Sequence, residues 1–296
     1  MVTKLGRITS IEQLVTAAEN KGVKIADIVL EDQVRELGVE PEVIWNDFSD
    51  KLEVMASSLK EGLKGSVKSA SGLCGGEASR LLDGANKGQT VFGLPFDLLL
   101  ARAMAVAEVN ASMGRIVAAP TAGSCGVLPA VIFTIGEQVQ ANKEAYVQAL
   151  LTAAGIGLVI SHRASLSGAE GGCQAEVGSA AAMAAAAAVE MVGGTPRQAA
   201  SAVAISLKNL LGLVGDPVAG LVEVPCIKRN AAGASIAAMA LELALAGVES
   251  FIPADEVIDA MRDVGRALPC ALRETSQGGL AVTPTARQLE KRLRQP

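Results

Sequence analysis

The chain has 296 residues, half of them hydrophobic but only 2% aromatic, with 31 glycines and a formal net charge of −5. This length allows one large domain or two small ones, its core must be built from Ala, Val, Leu, Ile and Met, and its acidic balance excludes the basic face of a nucleic-acid binder. Five cysteines without a Cys-x-x-Cys pair fit a reducing cytoplasm rather than a disulfide framework. The opening Met1-Val-Thr-Lys-Leu-Gly-Arg7 lacks the apolar stretch of a secretion signal.

Helix signals run along the whole chain. Thr9-x-x-Glu12 and Ser10-x-x-Gln13 are overlapping capping-box patterns ahead of Ile11, Leu14, Val15 and Ala18, which have helical spacing. Residues 42–63 read as a second amphipathic helix, with Ile44, Phe48, Leu52 and Met55 on one side. Near 65–70 the composition shifts from charged to Gly/Ala-rich. The shift predicts a helical appendage over 1–68 and a helical core that holds the site over 69–296, the two reading as one continuous domain.

The mean hydropathy of +0.37 raises the question of a membrane. The charge-free run 116–136 is broken by Pro120, Gly123, Gly126 and Pro129, and reads as a loop followed by a short buried helix. Residues 145–161 fall short of the roughly 20 apolar residues a spanning helix needs and carry Gly155 and Gly157. Residues 177–189 are shorter still, so all three segments read as the interior of a soluble protein. The Ala-rich stretch 180–191, bracketed by Glu176 and Glu190, cannot fill space with large side chains and is expected as the central helix of a bundle. Thr195-Pro196-x-Gln198 combines a cap, a first-turn proline and a box partner, opening a helix expected to run to about 211–212. Pro253 precedes a helix carrying Val257, Met261, Val264 and Leu268, with Pro269 after it, and Thr283-Pro284 opens a charged terminal helix. No segment shows sustained period-2 alternation, so the predicted fold class is all-α, with Gly/Pro-rich site loops.

Two cysteines stand in unusual company. Cys173 lies in Gly-Gly-Cys-Gln-Ala-Glu-Val-Gly and Cys226 in Val-Pro-Cys-Ile-Lys-Arg-Asn. Glycine lets backbone approach a bulky object and proline fixes a turn, so thiolates held this way face a metal, a cluster or a substrate. Lys228, Arg229 and Asn230 bring polar groups beside Cys226, and Asp216-Pro-Val-Ala-Gly220 leads into it as an ordered loop. Ala119-Pro-Thr-Ala-Gly-Ser-Cys-Gly-Val-Leu-Pro129 places Thr121, Ser124 and Cys125 among glycines and prolines in a turn that could cradle a carboxylate or phosphate, or serve only as a tight connection. Arg273, ahead of Gly278-Gly279, could hold a carboxylate bidentately or form a surface ion pair. Cys74 and Cys270 read as small core residues. The single histidine, His162, reads as non-catalytic, so an imidazole base would come from another chain.

Five motifs in order make the chain resemble the α subunit of bacterial iron–sulfur L-serine dehydratase. They are Asn110-Ala-Ser-Met-Gly, Ala119-Pro-Thr-Ala-Gly, Ser167-Gly-Ala-Glu-Gly-Gly-Cys-Gln-Ala-Glu-Val-Gly-Ser, Asp216-Pro-Val-Ala-Gly-Leu-Val-Glu-Val-Pro-Cys and Leu272-Arg-Glu-Thr-x-x-Gly-Gly-Leu-Ala. The resemblance covers nearly the whole chain and is strongest from Asn110 to Gln288. It implies L-serine ammonia-lyase activity in the cytoplasm, an all-helical catalytic domain, a 4Fe-4S cluster and a β-subunit partner that carries the base. It also implies that Cys173 and Cys226 are cluster ligands, with Thr121, Gly123 and Arg273 as candidate substrate contacts. A third cluster cysteine is expected just before Asp-Pro-Val-Ala-Gly, where this chain has Gly215. Cys125 is the best substitute candidate in the sequence. The competing reading is a non-catalytic relative that keeps the fold and the β-subunit surface. A pyridoxal phosphate mechanism would need a Schiff-base lysine in a phosphate-binding frame, and none surrounds Lys208 or Lys228.

Overall fold

Side-chain caps set the starts of several helices in the computed structural model, which describes residues 8–294; the stretch 1–7, read above for a secretion signal, lies outside them. Ser10 accepts the Gln13 N–H, and Gln13 in turn accepts the Thr9 N–H at 2.8 Å, opening α1 (Ile11–Lys21). Gly22, in the left-handed region, closes it. Next come α2 (Ile25–Leu37) and α3 (Pro41–Leu63), the latter burying Ile44, Leu52 and Met55. After these come α4 (Glu77–Asn86), α5 (Phe96–Ala111), α6 (Val127–Gln138), α7 (Lys143–Arg163) and the single turn α8 (Gly168–Gly171). The chain continues through α9 (Ser179–Met191), α10 (Pro196–Lys208), α11 (Cys226–Leu245), α12 (Ala254–Ala267) and α13 (Pro284–Leu293). Among the described residues there is no strand, only an isolated parallel bridge between Gly215 and Arg273. The fold is all-α.

The Ala-rich helix α9 is the axis of the bundle. Every residue from Ser179 to Glu190 is buried, and α6, α7, α10 and α11 pack around it. Methyl side chains let those four neighbours approach its backbone closely, which explains how a core so poor in aromatics is filled. Among the described residues one helix, α7, is long and apolar enough to cross a membrane, but 61% of its most apolar stretch is buried inside the protein, where the helix packs against α9. α1, α2 and α3 send Leu14, Ile28 and Met55 into the same hydrophobic cluster as α9.

Three helix N-termini take their caps from distant carboxylates. Glu190 of α9 accepts the N–H groups of Ile25 and Ala26 at the start of α2, and the hydroxyl of Thr152. Glu108 of α5 accepts those of Gly76, Glu77 and Ala78 at the start of α4. Asp255 of α12 accepts those of Ile11 and Glu12. Each places a carboxyl group at the positive end of a helix dipole and satisfies otherwise orphaned donors.

α10 ends at Lys208, earlier than the expected 211–212. Asn209 turns its side chain back to the Ile205 carbonyl, and Gly212, at φ 82°, gives its N–H to Gln174 Oε1 at 2.9 Å instead of a helical carbonyl.

Candidate active site

Cys173 sits between α8 and a single π-helical turn, Gln174–Gly178, that leads into α9. Such turns are rare and cluster at functional sites. Gln174 anchors the facing strand of chain: its N–H donates to the Leu213 carbonyl at 2.9 Å, and its side chain spans the Gly212 N–H and the Met261 carbonyl. This brings Gly215 beside Cys173, so that a Cβ on Gly215 would lie 3.6 Å from the Cys173 nitrogen.

Cys226 opens α11, and one turn later the fully buried Asn230 ties three segments together. It accepts the Gly126 N–H and donates to the carbonyls of Gly123 and Cys226, each at 2.8–2.9 Å. The Thr121–Gly126 loop is thereby fixed against the Cys226 turn. Arg229 pairs with the buried Asp216 at 2.8 Å and donates to the Val214 carbonyl, holding the segment around Gly215 from the other side. Burial pushes the thiols of Cys173 and Cys226 up to about 12, against the lowering influence of the neighbouring Arg229, and a bound cation would favour the thiolate.

Two glutamates face one another in this cleft. Glu176 accepts a hydrogen bond from Thr121 Oγ1 at 2.6 Å, and its two carboxylate oxygens lie 3.0 Å from where a Cβ on Gly123 would stand. Burial, followed by a hydrogen bond and charge repulsion from Glu274, holds the Glu176 carboxyl well above its ordinary range, at about 8. At neutral pH the pair therefore keeps a proton, and the cleft carries less negative charge than two free carboxylates would bring.

The family model for the serine dehydratase alpha chain matches residues 20–281. The chain is 49% identical over 284 residues to the probable L-serine dehydratase alpha chain of Bacillus subtilis, covering 96% of this chain and 94% of that one. It is 43% identical to the L-serine dehydratase alpha chain of Peptoniphilus asaccharolyticus over 96% of this chain and 97% of that one. The chain belongs to the serine dehydratase alpha chain family. L-serine dehydratase 2 of Escherichia coli is a longer relative, 45% identical over 61% of this chain and 40% of its own length.

Set against the family's expected residues, the structure gathers Thr121, Gly123, Cys173, Cys226 and position 215 around one cleft. Arg273 differs: its hydrogen bond goes to the Glu170 carbonyl at 3.5 Å, beside α8, and its Nε is buried without a partner. Cys125, the substitute candidate, is turned away from the other site residues. Its loop faces the cleft, but its Sγ turns to the Val106 carbonyl and packs with Leu59, Val106 and Phe133, because the cleft side of the turn is taken by Thr121 and Gly123. Cys74 packs in a small cluster with Ala78, Met104 and Ile227, whereas Cys270, expected in the core, is exposed on a turn. His162 lies exposed on the last turn of α7, in a separate hollow with Asp32 and Glu36.

Among the described residues, no group of three or more His, Cys, Asp or Glu side chains converges as a single ion would require. An iron–sulfur cube spreads its ligands around a larger body, and its donors are thiolates. The buried Cys173 and the half-buried Cys226 are donors of the kind such a group takes, and Gly172 and Gly215 bring no side chain of their own beside Cys173. Glu176 and Glu274 carried weak sequence signals. Glu176 stood out only as a bracket to the alanine run, and Glu274 only as a neighbour of Arg273.

Proposed function

We propose that this chain is the α subunit of an L-serine ammonia-lyase, converting L-serine to pyruvate and ammonia together with a β subunit in the cytoplasm. The membership over residues 20–281 and the meeting of Cys173 and Cys226 beside the Thr121–Gly126 loop carry the reading. The hydroxide of serine is a poor leaving group and its α-proton is weakly acidic, so the reaction needs both an electrophile and a base. A 4Fe-4S cluster, held here by Cys173 and Cys226, would supply a Lewis acid for the leaving hydroxyl. Thr121 and Gly123 form the wall of the cleft against which substrate is oriented. Arg273 engages the Glu170 carbonyl through Nη1 alone, and its unpartnered Nε supports a role in holding a substrate carboxylate. Water leaves as the α-proton is removed, and the resulting aminoacrylate tautomerises and is hydrolysed, returning one water and releasing ammonia.

His162 lies outside the site, which supports a base supplied by the partner. The isolated chain is therefore expected to form no pyruvate, and the anaerobic complex with a β chain to form it from L-serine. Pyruvate from the chain alone would overturn the two-subunit reading. A second reading, a non-catalytic scaffold, is favoured by the glycine at 215; a colourless, inactive complex from which iron and sulfide are absent would select it.

A further inference from the structure

Glycine at 215 leaves the cleft one thiolate short, and the space is filled. A Cβ placed on Gly215 would lie 2.7 Å from Cγ of Glu274, so Glu274 runs through the volume a side chain at 215 would claim. A second glycine completes the slot: a Cβ on Gly168 would lie 2.1 Å from Oε1 and 2.7 Å from Oε2 of Glu274. The backbone is fixed on both sides, with the Gly215 N–H on the Leu272 carbonyl and the Glu274 N–H on the Gly215 carbonyl, both at 2.8 Å. Glu274 itself has φ 61°, a conformation that costs a non-glycine residue free energy and that functional sites retain.

The other donors are committed elsewhere. Cys125 and Cys74 pack in apolar clusters, Cys270 is exposed, and Asp216 pairs with Arg229 and accepts the Leu280 N–H. Glu176 is held by Thr121. Glu274 is the acidic side chain that occupies the volume a side chain at position 215 would take, beside Cys173.

We propose that Glu274 supplies the third protein ligand to the cluster, its carboxylate standing in for the missing thiolate at position 215. This rests on the proposed function above. A carboxylate is a harder donor than a thiolate and suits an iron site less well, so the cluster should be more easily lost than one held by three sulfurs.

The test uses the full chain co-produced anaerobically with its β chain. Iron and sulfide per complex, the electron paramagnetic resonance signal of the reduced cluster, and the rate of iron loss to a chelator are measured. Glu274→Gln should lose iron at least about tenfold faster, since even outer-shell partners matter by that much. Glu274→Gly, which suits the left-handed backbone, should do the same, guarding against misfolding of the first variant. Adding Gly215→Cys to Glu274→Gly, which removes the Cγ that a side chain at 215 would meet, should restore iron retention and shift the resonance signal, whereas Cys270→Ser should change neither. If both Glu274 variants, folded by circular dichroism, retain iron at the native rate, Glu274 is not a ligand, while the cluster reading stands. If the native complex holds no iron, the proposal falls together with the cluster.

Discussion

Asn230 is the residue on which the site's assembly depends most directly. It is fully buried and binds Gly123, Gly126 and Cys226 at once, so no other side chain could hold the Thr121 loop and the Cys226 turn in the same relation. Asn230→Ala leaves a buried N–H and a buried carbonyl unpaired, and should lower stability by about 3 kcal/mol. A urea titration checks this, and the iron content of the purified complex should fall with it. Cys125→Ala makes the opposite case. The thiol fills an apolar niche with Phe133, so its loss should cost about 1 kcal/mol and leave iron content unchanged. Loss of iron in that variant would return Cys125 to the ligand set.

At the scale of elements, short-range chemistry was legible and long-range chemistry was not. Ser10, Thr195 and Thr283 cap their helices as their neighbours in sequence predict, because a cap and its partner are three residues apart. The carboxylates that cap α1, α2 and α4 come from α12, α9 and α5, and nothing local in the sequence pairs them. Removing Glu190 should therefore unlatch α2 from the core: Glu190→Ala leaves two N–H groups and the Thr152 hydroxyl without their acceptor, costing about 2–3 kcal/mol by urea titration. Hydrogen exchange should rise first in Ile25 and Ala26. Close helix crossings were equally hidden. Gly62 lets α3 meet α5, where an added Cβ would come within 2.2 Å of the Ala105 carbonyl oxygen, so Gly62→Ala should destabilise by about 3 kcal/mol. The site divides in the same way. Cys173 and Cys226 stood out through the glycines and proline beside them, whereas the meeting of Glu176 with Glu274 depends on the fold that joins α9 to the segment after α12.

At the scale of the whole molecule, buried carboxyls give stability a definite pH trend. Burial raises Asp32, Glu108, Glu176 and Glu190 alike. An acid whose pKa is raised by folding holds its proton more tightly in the folded chain. Its contribution is intact below the unfolded value, 4.5 for Glu190, and is lost as pH rises through the folded one. The iron-free chain should therefore have a lower urea midpoint at pH 8 than at pH 5, with a smaller difference in Glu190→Gln; a midpoint that rises with pH would contradict this.

The central claim, that the cleft around Cys173 and Cys226 deaminates serine with help from a β chain, is tested most directly by one measurement. Pyruvate formation from L-serine is followed in the anaerobic complex for the native chain, Cys173→Ala and Cys226→Ala, each verified as folded and bound to its partner. The account predicts turnover in the native complex and its loss, together with iron, in both variants. Undiminished pyruvate formation by either cysteine variant would contradict it.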